Sequence, residues 1–349
     1  MQTSLKMKIK SYIEVFLDIL FDTFIPYRVL SNTRLREWSV PANFIYSYVF
    51  NQKFQRLQLL HILRENGIND PHQIKAWWSR GLNNFGDELL AYLLARIAAV
   101  ECIYDRNKSM LAIGSIIRFA RDNSFVWGSG IIREDEIMEA RPTCLAVRGP
   151  LTRKKMLEQD IPCPEVYGDP AMLFPLFFKP QTISGVLKIQ GEPRKPLIIP
   201  HFKHDTIVPR FLEYDYQSLL VTSIGDIERV VSHISAAPSV VTSSLHGFIF
   251  CVAYGIPVSV FKLKKKGIGG DNIKFDDFCY GVGLDPIAIH EVDTIDKEQI
   301  EYLLNNARIY APNWTPVPLL EGLNEICQTE TLSAFIKNVK SGYSCHNAA

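Results

Sequence analysis

The chain has 349 residues, more than one hydrophobic core usually organises, so two domains are expected. Hydrophobic residues make up 47% of the sequence and charged residues 21%, which is typical of a globular protein and excludes a disordered chain. The formal net charge is +1, so the composition excludes general binding of polyanions, and we expect no nucleic-acid partner.

The seven cysteines are scattered, and no two of them form a Cys-x-x-Cys pair. Several lie in apolar runs, which indicates reduced, structural thiols in a cytoplasmic compartment rather than disulfides. The pattern gives no zinc site, so the sequence predicts a cytoplasmic protein without a bound metal.

Residues 1–75 predict a helical extension. Within it, residues 9–24 are apolar but carry three acids at steps of four, which places them on one helix face: Glu14, Asp18 and Asp22. A transmembrane span would not tolerate such a stripe. Two interpretations stay open, an amphipathic helix packed on the protein and a helix that contacts the inner face of the cytoplasmic membrane through residues 1–30.

Residues 76–180 alternate between short apolar strands and helices, as an N-terminal α/β domain does. Strands are predicted at 110–113, 124–127 and 145–147, and helices at 88–100 and 150–159. Asp87 is placed to cap the first helix, and Pro150 suits the first position of the second.

A Gly- and Pro-containing linker is predicted at 181–195, followed by a C-terminal α/β domain at 196–310. Its first elements are strands at 197–199 and 219–222 and a helix at 226–234. Residues 311–349 form a C-terminal helical tail. Two α/β halves of this kind usually hold a ligand in the cleft between them.

Residues 240–261 predict a strand, a tight turn, a short helix and a second strand. Val240 and Thr242 favour an extended chain, Ser243 and Ser244 can cap the helix, and Gly255 can end it. Because the crossover is short, the two strands should be parallel neighbours in a buried sheet.

His246 falls at the start of this helix, at the carboxyl end of the preceding strand. That position faces the crevice in which α/β proteins bind anions and perform chemistry. The alternative is a buried histidine that hydrogen-bonds a backbone carbonyl.

Polar residues at the other predicted strand ends are rich in cations and in helix N-termini. They are Asn84, Asp87, Ser129, Arg148, Asp169, His201, Lys203, His204, Ser243, Ser244, Lys262 and Lys264. Such a set suits an acidic ligand with a phosphate and a carboxylate. Neither a P-loop nor a G-x-G-x-x-G motif is present.

Five short motifs have the order and spacing seen in one enzyme family. They are Asn84-Phe-Gly-Asp87, Trp127-Gly-Ser-Gly-Ile131, Val147-Arg-Gly-Pro150, Tyr167-Gly-Asp-Pro-Ala171 and Thr242-Ser-Ser-Leu-His-Gly247. On these motifs the chain resembles the polysaccharide pyruvyl transferase family over roughly residues 82–284. The resemblance implies two Rossmann-like domains that face each other across a cleft, as in the GT-B glycosyltransferases.

The resemblance also implies a reaction. The pyruvyl group of phosphoenolpyruvate is placed as a ketal across two hydroxyls of a sugar, and phosphate leaves. The acceptor belongs to a bacterial surface glycan or its lipid-linked saccharide precursor. Phosphoenolpyruvate is the donor substrate, and neither a cofactor nor a metal is implied. The sequence leaves the oligomeric state open.

This chemistry needs an acid/base group that works near neutral pH, and His246 is the candidate. Asp169 can orient a catalytic group or bind a sugar hydroxyl. Arg148 is predicted to clamp an anion through two parallel hydrogen bonds. The other predicted donor-binding residues are Ser129, Gly130, Ser243, Ser244, Lys262, His201 and Lys203. Asn84 and Asp87 are assigned to acceptor binding or to structure.

The chain departs from the family pattern at one position. Many family members carry arginine two residues before the motif histidine, where this chain has Ser244. The missing anion contact is expected from His201, Lys203, His204 or Lys262.

Two rival functions stay open from the sequence. The first is a GT-B glycosyltransferase that uses a nucleotide sugar, with helix N-termini on the diphosphate. The second is a catalytically silent protein that binds glycan or holds an assembly complex at the membrane.

Overall fold

The structure, a computed structural model, describes residues 51–79, 83–180, 194–221, 223–265 and 267–346. The predicted helix at 9–24 and residues 181–193 of the predicted linker lie outside these ranges.

The first half of the chain carries five strands and four helices within its described residues. They are α1 (Asn51–Glu65), β1 (Gln73–Ala76), α2 (Phe85–Ala98), β2 (Glu101–Tyr104), β3 (Met110–Leu111), β4 (Phe125–Trp127), β5 (Thr143–Ala146), α3 (Pro150–Leu157) and α4 (Phe174–Phe177). A 3₁₀ turn at Pro170–Leu173 precedes α4.

The second half begins with β6 (Leu197–Ile199), a 3₁₀ turn at Phe202–His204, β7 (Asp215–Tyr216) and α5 (Ile224–Ala236). It continues with β8 (Val240–Thr242), α6 (Leu245–Tyr254), β9 (Val258–Leu263), α7 (Ile273–Gly281), β10 (Ile289–Val292) and α8 (Lys297–Asn305). Helices α9 (Val317–Cys327) and α10 (Glu330–His346) form the tail.

All strand pairs among the described residues are parallel, which confirms the α/β class. The second half holds a five-stranded sheet in the order β10-β9-β8-β6-β7. The first half holds two separate sheets, one of three strands in the order β3-β4-β5 and one of the two strands β1 and β2. A hydrogen bond from Trp77 N to Met110 O, 2.8 Å long, links the two sheets. The predicted parallel pairing of β8 with β9 is confirmed.

The five-stranded sheet changes direction at β6. The chain passes from β6 to β7 on one side and then to β8 on the other. Loops that leave the carboxyl ends of two such strands diverge and open a crevice between them. The residues after β6 and after β8 therefore share one edge of the sheet.

The segment predicted as a strand at 219–222 pairs elsewhere. Phe85 N donates to Leu219 O at 2.8 Å, and Val221 N donates to Asn83 O at 2.7 Å. The prediction was wrong because a distant loop takes up these backbone groups, and Asp215–Tyr216 pairs with β6 instead. The contact joins the two halves just before α2.

Helix α2 begins at Phe85, three residues before its predicted start at Glu88. Asn84 takes the extended N-cap position, so Asp87 lies within the first turn and does not cap the helix. The prediction of Asp87 as the cap was therefore wrong.

The tail packs against the first half, although it follows the second half in sequence. Trp127 Nε1 donates to Leu319 O at 2.7 Å, and Thr329 Oγ1 donates to Ala98 O at 2.8 Å. No helix within the described ranges is both long and apolar enough to cross a bilayer.

One hydrophobic core spans the two halves. The Phe250 ring of α6 lies 5.0 Å from Phe85 of α2 and 4.9 Å from Phe174 of α4, measured between ring centroids. All three side chains are fully buried. This packing sets the position of the α6 N-terminus against the first half.

Candidate active site

The β8–α6 turn fixes His246 at the second position of its helix. Thr242 Oγ1 donates to Ile199 O at 2.8 Å and accepts from Ser244 N at 3.0 Å, which ties the turn to β6. Ser244 is extended, and its Oγ accepts from Gly247 N at 3.4 Å as the N-cap. A Cβ at Gly247 would lie 2.5 Å from Thr242 Oγ1, so only glycine allows this close start.

Asp169 faces His246 from the other half of the protein. One carboxylate oxygen, Oδ1, accepts from Ala171 N at 3.0 Å and caps the 3₁₀ turn. The other, Oδ2, lies 3.7 Å from His246 Nε2. Asp169 Oδ2 and His246 Nε2 are both buried, and neither has a hydrogen-bond partner among the described residues. The structure thus brings together the two residues predicted as catalytic.

Gly86 of α2 packs against the same imidazole, and its neighbour Asp87 interacts with it electrostatically. A Cβ at Gly86 would lie 2.0 Å from His246 Nδ1, so the ring rests directly on the helix backbone. Asn84 Nδ2 donates to Asp87 Oδ2 at 2.9 Å. Burial raises the pKa of Asp87 to about 6, against the opposing effects of Asn84 and His246. Asn84 and Asp87 therefore border the His246 site.

Replacement of Gly86 by alanine should displace the His246 ring. With His246 as the acid/base group that the sequence predicts, we expect turnover to fall roughly 10- to 100-fold, because a shift of about 1 Å in such a group has effects of this size. Gly225→Ala is the matched control, since Gly225 is also the second residue of a helix and a Cβ there meets only Ser223 Oγ at 3.8 Å. Equal activity of the two variants in a phosphate-release assay would contradict the contact.

Asp87→Asn should remove a pH-dependent component of stability. The folded pKa of about 6 lies above the ordinary value of 3.8, so protonated Asp87 stabilises the fold below pH 4. That stability is lost as pH rises through 6. Because part of Asp87 reaches solvent, we expect the loss to be at most about 3 kcal/mol.

Urea unfolding of wild type and Asp87→Asn at pH 4 and pH 7 measures this component. The stability difference between the two proteins should shift in favour of the asparagine variant as pH rises. A constant difference across this range would show that the carboxyl of Asp87 titrates normally.

Arg148 occupies a different environment from the one predicted. It is fully buried, and its Nε donates to Asp277 Oδ2 at 3.1 Å. Its other donors reach Ser115 Oγ at 2.7 Å and Ile131 O at 2.6 Å, and Nη2 also pairs with Asp277 Oδ2 at 3.1 Å. Few donors remain for a ligand. The geometry therefore favours a structural link between the two halves over the predicted bidentate clamp.

Ser129 and Gly130 lie beside this arginine, away from the crevice. Ser129 is fully buried; its Oγ donates to Gly114 O at 2.9 Å and accepts from Ile116 N at 3.3 Å. A Cβ at Gly130 would lie 2.5 Å from Arg148 Cζ. These contacts favour structural roles for both residues over the predicted donor binding.

The residues after β6 meet Ser243 at the switch point of the sheet. His201 N donates to Ser243 Oγ at 2.9 Å, and His204 Nδ1 lies 3.0 Å from the same oxygen. Burial is the main cause that lowers the pKa of His201 to about 3, and the positive charge of nearby Lys274 is the second. The His201 ring is therefore neutral at pH 7. His201 Nδ1 accepts from Lys203 N at 3.2 Å, which leaves Nε2–H as a donor.

A cavity of about 570 Å³ adjoins this cluster at the carboxyl end of β9. Its polar lining comprises Ser243, Lys262, Lys264, Asp271, Asn272, Lys274 and Glu291. Lys262 Nζ pairs with Glu291 Oε1 at 2.6 Å, which neutralises the lysine that the sequence predicts as an anion ligand.

Lys274 is the residue of this cavity that the sequence analysis missed. It is only 8% exposed, and no ion pair or hydrogen bond of its ammonium group is found within the described residues. Burial, together with Arg148 and Lys203, lowers its pKa to about 8. The one available signal is its position just after the glycine-rich segment at 267–270, since a lone lysine on a helix otherwise indicates a surface residue.

The chemistry of the site follows from the His246–Asp169 pair and the cavity lined by Lys274. An imidazole and a carboxylate from the two halves face each other, and a lysine-bearing cavity is lined by Ser243, three residues before that imidazole. Such an arrangement can move a proton next to a bound anion. Within the described ranges, no group of three or more His, Cys, Asp or Glu side chains is placed to hold a metal ion.

Residues 55–263, more than half of the chain, match the polysaccharide pyruvyl transferase family. The chain belongs to this family. It is therefore a transferase, and the family supports a pyruvyl transferase that acts on glycans. All five sequence motifs lie within the matched residues of this pyruvyl transferase, whereas Lys274 lies beyond them.

A curated relative of this pyruvyl transferase is the uncharacterized protein L143 of Acanthamoeba polyphaga mimivirus. It is 25% identical over 212 residues, which are 59% of this chain and 71% of the viral protein. Among solved structures, the glycosyltransferase SnogD from Streptomyces nogalater aligns with 84% of this chain and 95% of its own. That alignment has a TM-score of 0.30 and 9% identity, a level that carries no argument about architecture or activity.

Proposed function

We propose that this pyruvyl transferase transfers the pyruvyl group of phosphoenolpyruvate to two hydroxyls of one sugar, which forms a ketal and releases phosphate. The observation that carries the proposal is the buried pair of His246 Nε2 and Asp169 Oδ2, 3.7 Å apart and without other partners among the described residues. A sugar hydroxyl bound to both atoms would give each a hydrogen-bond partner.

The reaction needs one group that both accepts and donates protons. A first hydroxyl oxygen attacks C2 of the donor while C3 gains a proton, and the carbon–carbon double bond becomes a single bond. The C2–O bond to phosphate then breaks, and the second hydroxyl oxygen bonds to C2. One hydroxyl proton ends on C3 and the other on phosphate or solvent. His246 is the proposed relay, since imidazole exchanges protons near neutral pH.

Asp169 supports the relay. Its carboxylate is positioned to stabilise the imidazolium that forms when Nε2 takes the hydroxyl proton. Its other oxygen is held by Ala171 N, which keeps the carboxylate oriented. Because Asp169 and His246 come from different halves, the site is complete only when the halves are packed together.

The donor anion is proposed to bind at the switch point between β6 and β8. Ser243, Ser244 at the N-terminus of α6, and Lys203 line this edge. His201 contributes a neutral N–H donor there. This arrangement supplies donors and positive charge without the arginine that many family members carry at the position of Ser244.

We also propose that the acceptor belongs to a surface glycan or its lipid-linked precursor and is modified in the cytoplasm, at the inner face of the membrane. Residues 1–30 would make the membrane contact. Co-sedimentation of the full chain and of a chain lacking residues 1–30 with anionic vesicles tests this part, and equal sedimentation would contradict it.

The reaction is tested with phosphoenolpyruvate and a panel of β-galactoside, glucose and N-acetylmannosamine acceptors. We expect release of inorganic phosphate that depends on the acceptor. Turnover of a nucleotide sugar instead would support the rival glycosyltransferase. Absence of turnover with both donors, together with glycan binding, would support the catalytically silent assembly protein.

A further inference from the structure

Lys274 is a largely buried lysine whose ammonium group forms no ion pair or hydrogen bond in the part of the chain that the structure describes. The residue is 8% exposed, and it lines the cavity of about 570 Å³ next to Ser243. Asp271, an acid of the same lining, attracts Lys274 electrostatically but forms no ion pair with it: its Oδ1 accepts from Ile273 N at 3.1 Å and its Oδ2 from Glu134 N at 3.0 Å. An unpaired buried ammonium is costly, so a site of this kind calls for an anion.

The surroundings of Lys274 add positive potential. It lies in the first turn of the nine-residue helix α7, at the positive end of the helix dipole. Lys203 acts electrostatically on Lys274, and a Cβ at Gly269, between the lining residues Ile268 and Gly270, would be 4.0 Å from Lys203 Nζ. The other two lysines of the lining are neutralised, Lys262 by Glu291 and Lys264 by Asp293 at 3.1 Å.

We propose that Lys274 binds the phosphate group of the donor and, after transfer, the phosphate that leaves. This inference rests on the proposed function for the identity of the donor, but the phosphate site itself does not depend on it. Lys274 lies outside residues 55–263, so the family match assigns it no role. The position also suits the chemistry, because Ser243, which lines the cavity, directly precedes the N-cap Ser244 of the helix that carries His246.

The test is binding of inorganic phosphate to the full chain by calorimetry, with Lys274→Met as the variant. We expect the variant to bind phosphate roughly 10- to 100-fold more weakly, the effect of losing a charge-assisted hydrogen bond. Lys274→Arg keeps the charge and should stay close to wild type. Lys262→Met is the control within the cavity, and Lys297→Met, far from it and paired with Glu213, is the control outside.

Thermal unfolding separates binding from folding. Methionine fills a similar volume without a charge, so Lys274→Met should be at least as stable as wild type. If Lys274→Met is instead unfolded, the phosphate affinity of Lys274→Arg decides: retention supports the site, and a loss as large as that expected for methionine overturns it.

The outcomes distinguish this inference from the proposed function. Phosphate binding that depends on Lys274, without turnover of phosphoenolpyruvate, keeps the site and rejects the donor. Turnover of phosphoenolpyruvate with phosphate inhibition unchanged in Lys274→Met keeps the function and rejects Lys274. Absence of phosphate binding to wild type, or an equal loss in Lys262→Met, also overturns the inference.

Discussion

His246→Ala is expected to lower turnover by about 10²–10⁴, the usual contribution of a general acid/base. The imidazole is the group that can exchange a proton next to Asp169 Oδ2, 3.7 Å away. Alanine leaves the helix start intact, because the cap is made by Ser244 and Gly247. The measurement is acceptor-dependent phosphate release at saturating donor, together with the thermal unfolding curve.

His61→Ala is the matched control, since His61 lies on the surface of α1 and pairs with Glu65 at 3.2 Å. It should retain full turnover. If His246→Ala unfolds at room temperature, the histidine is structural, and the alternative of a buried hydrogen-bonding ring is correct. If it folds and turns over at the wild-type rate, the proton relay lies elsewhere.

Arg148→Met should lower the free energy of unfolding by about 3–5 kcal/mol, because it leaves a buried carboxylate without its partner. Arg148 and Asp277 are both 0% exposed, and Thr152 adds two hydrogen bonds to the same carboxylate at 2.8 and 2.6 Å. The double variant Arg148→Met/Asp277→Asn should recover part of this loss. Urea unfolding at pH 7 measures all three proteins.

Arg229→Met is the surface control for this prediction. Arg229 is half exposed and pairs with Asp226 at 3.3 Å, so its loss should have an effect of at most about 1 kcal/mol. The anion clamp predicted from the sequence leads to a different expected result for Arg148→Met. If it is correct, Arg148→Met keeps wild-type stability and loses donor binding instead.

The elements around His246 could be predicted from neighbouring residues alone. Ser244 caps α6, Gly255 ends it with a positive φ of 68°, and β8 pairs with β9 in parallel, all as the local pattern indicates. Each of these features depends on residues a few positions apart, where propensity and capping decide the conformation.

The structure departs from the local pattern where the partner is distant in sequence. Arg148 indicates an anion ligand by residue type and motif, but Asp277 lies 129 residues further along the chain. The segment at 219–222 has the composition of a strand, yet its backbone pairs with residues 83–85. In both cases a tertiary contact gave the segment a different partner from the one that its local pattern indicates.

By itself, then, the sequence determined the parallel α/β class, the family and the placement of a histidine at a helix N-terminus. Only the tertiary structure decided which polar groups are neutralised and which are left to meet a ligand. It buries Arg148 against Asp277 and pairs Lys262 with Glu291. Among the described residues, Lys274 lines a cavity without an ion pair, and His246 Nε2 and Asp169 Oδ2 have no hydrogen-bond partner. The physical reason is that charge compensation acts through space between chain-distant groups, and local sequence patterns do not record it.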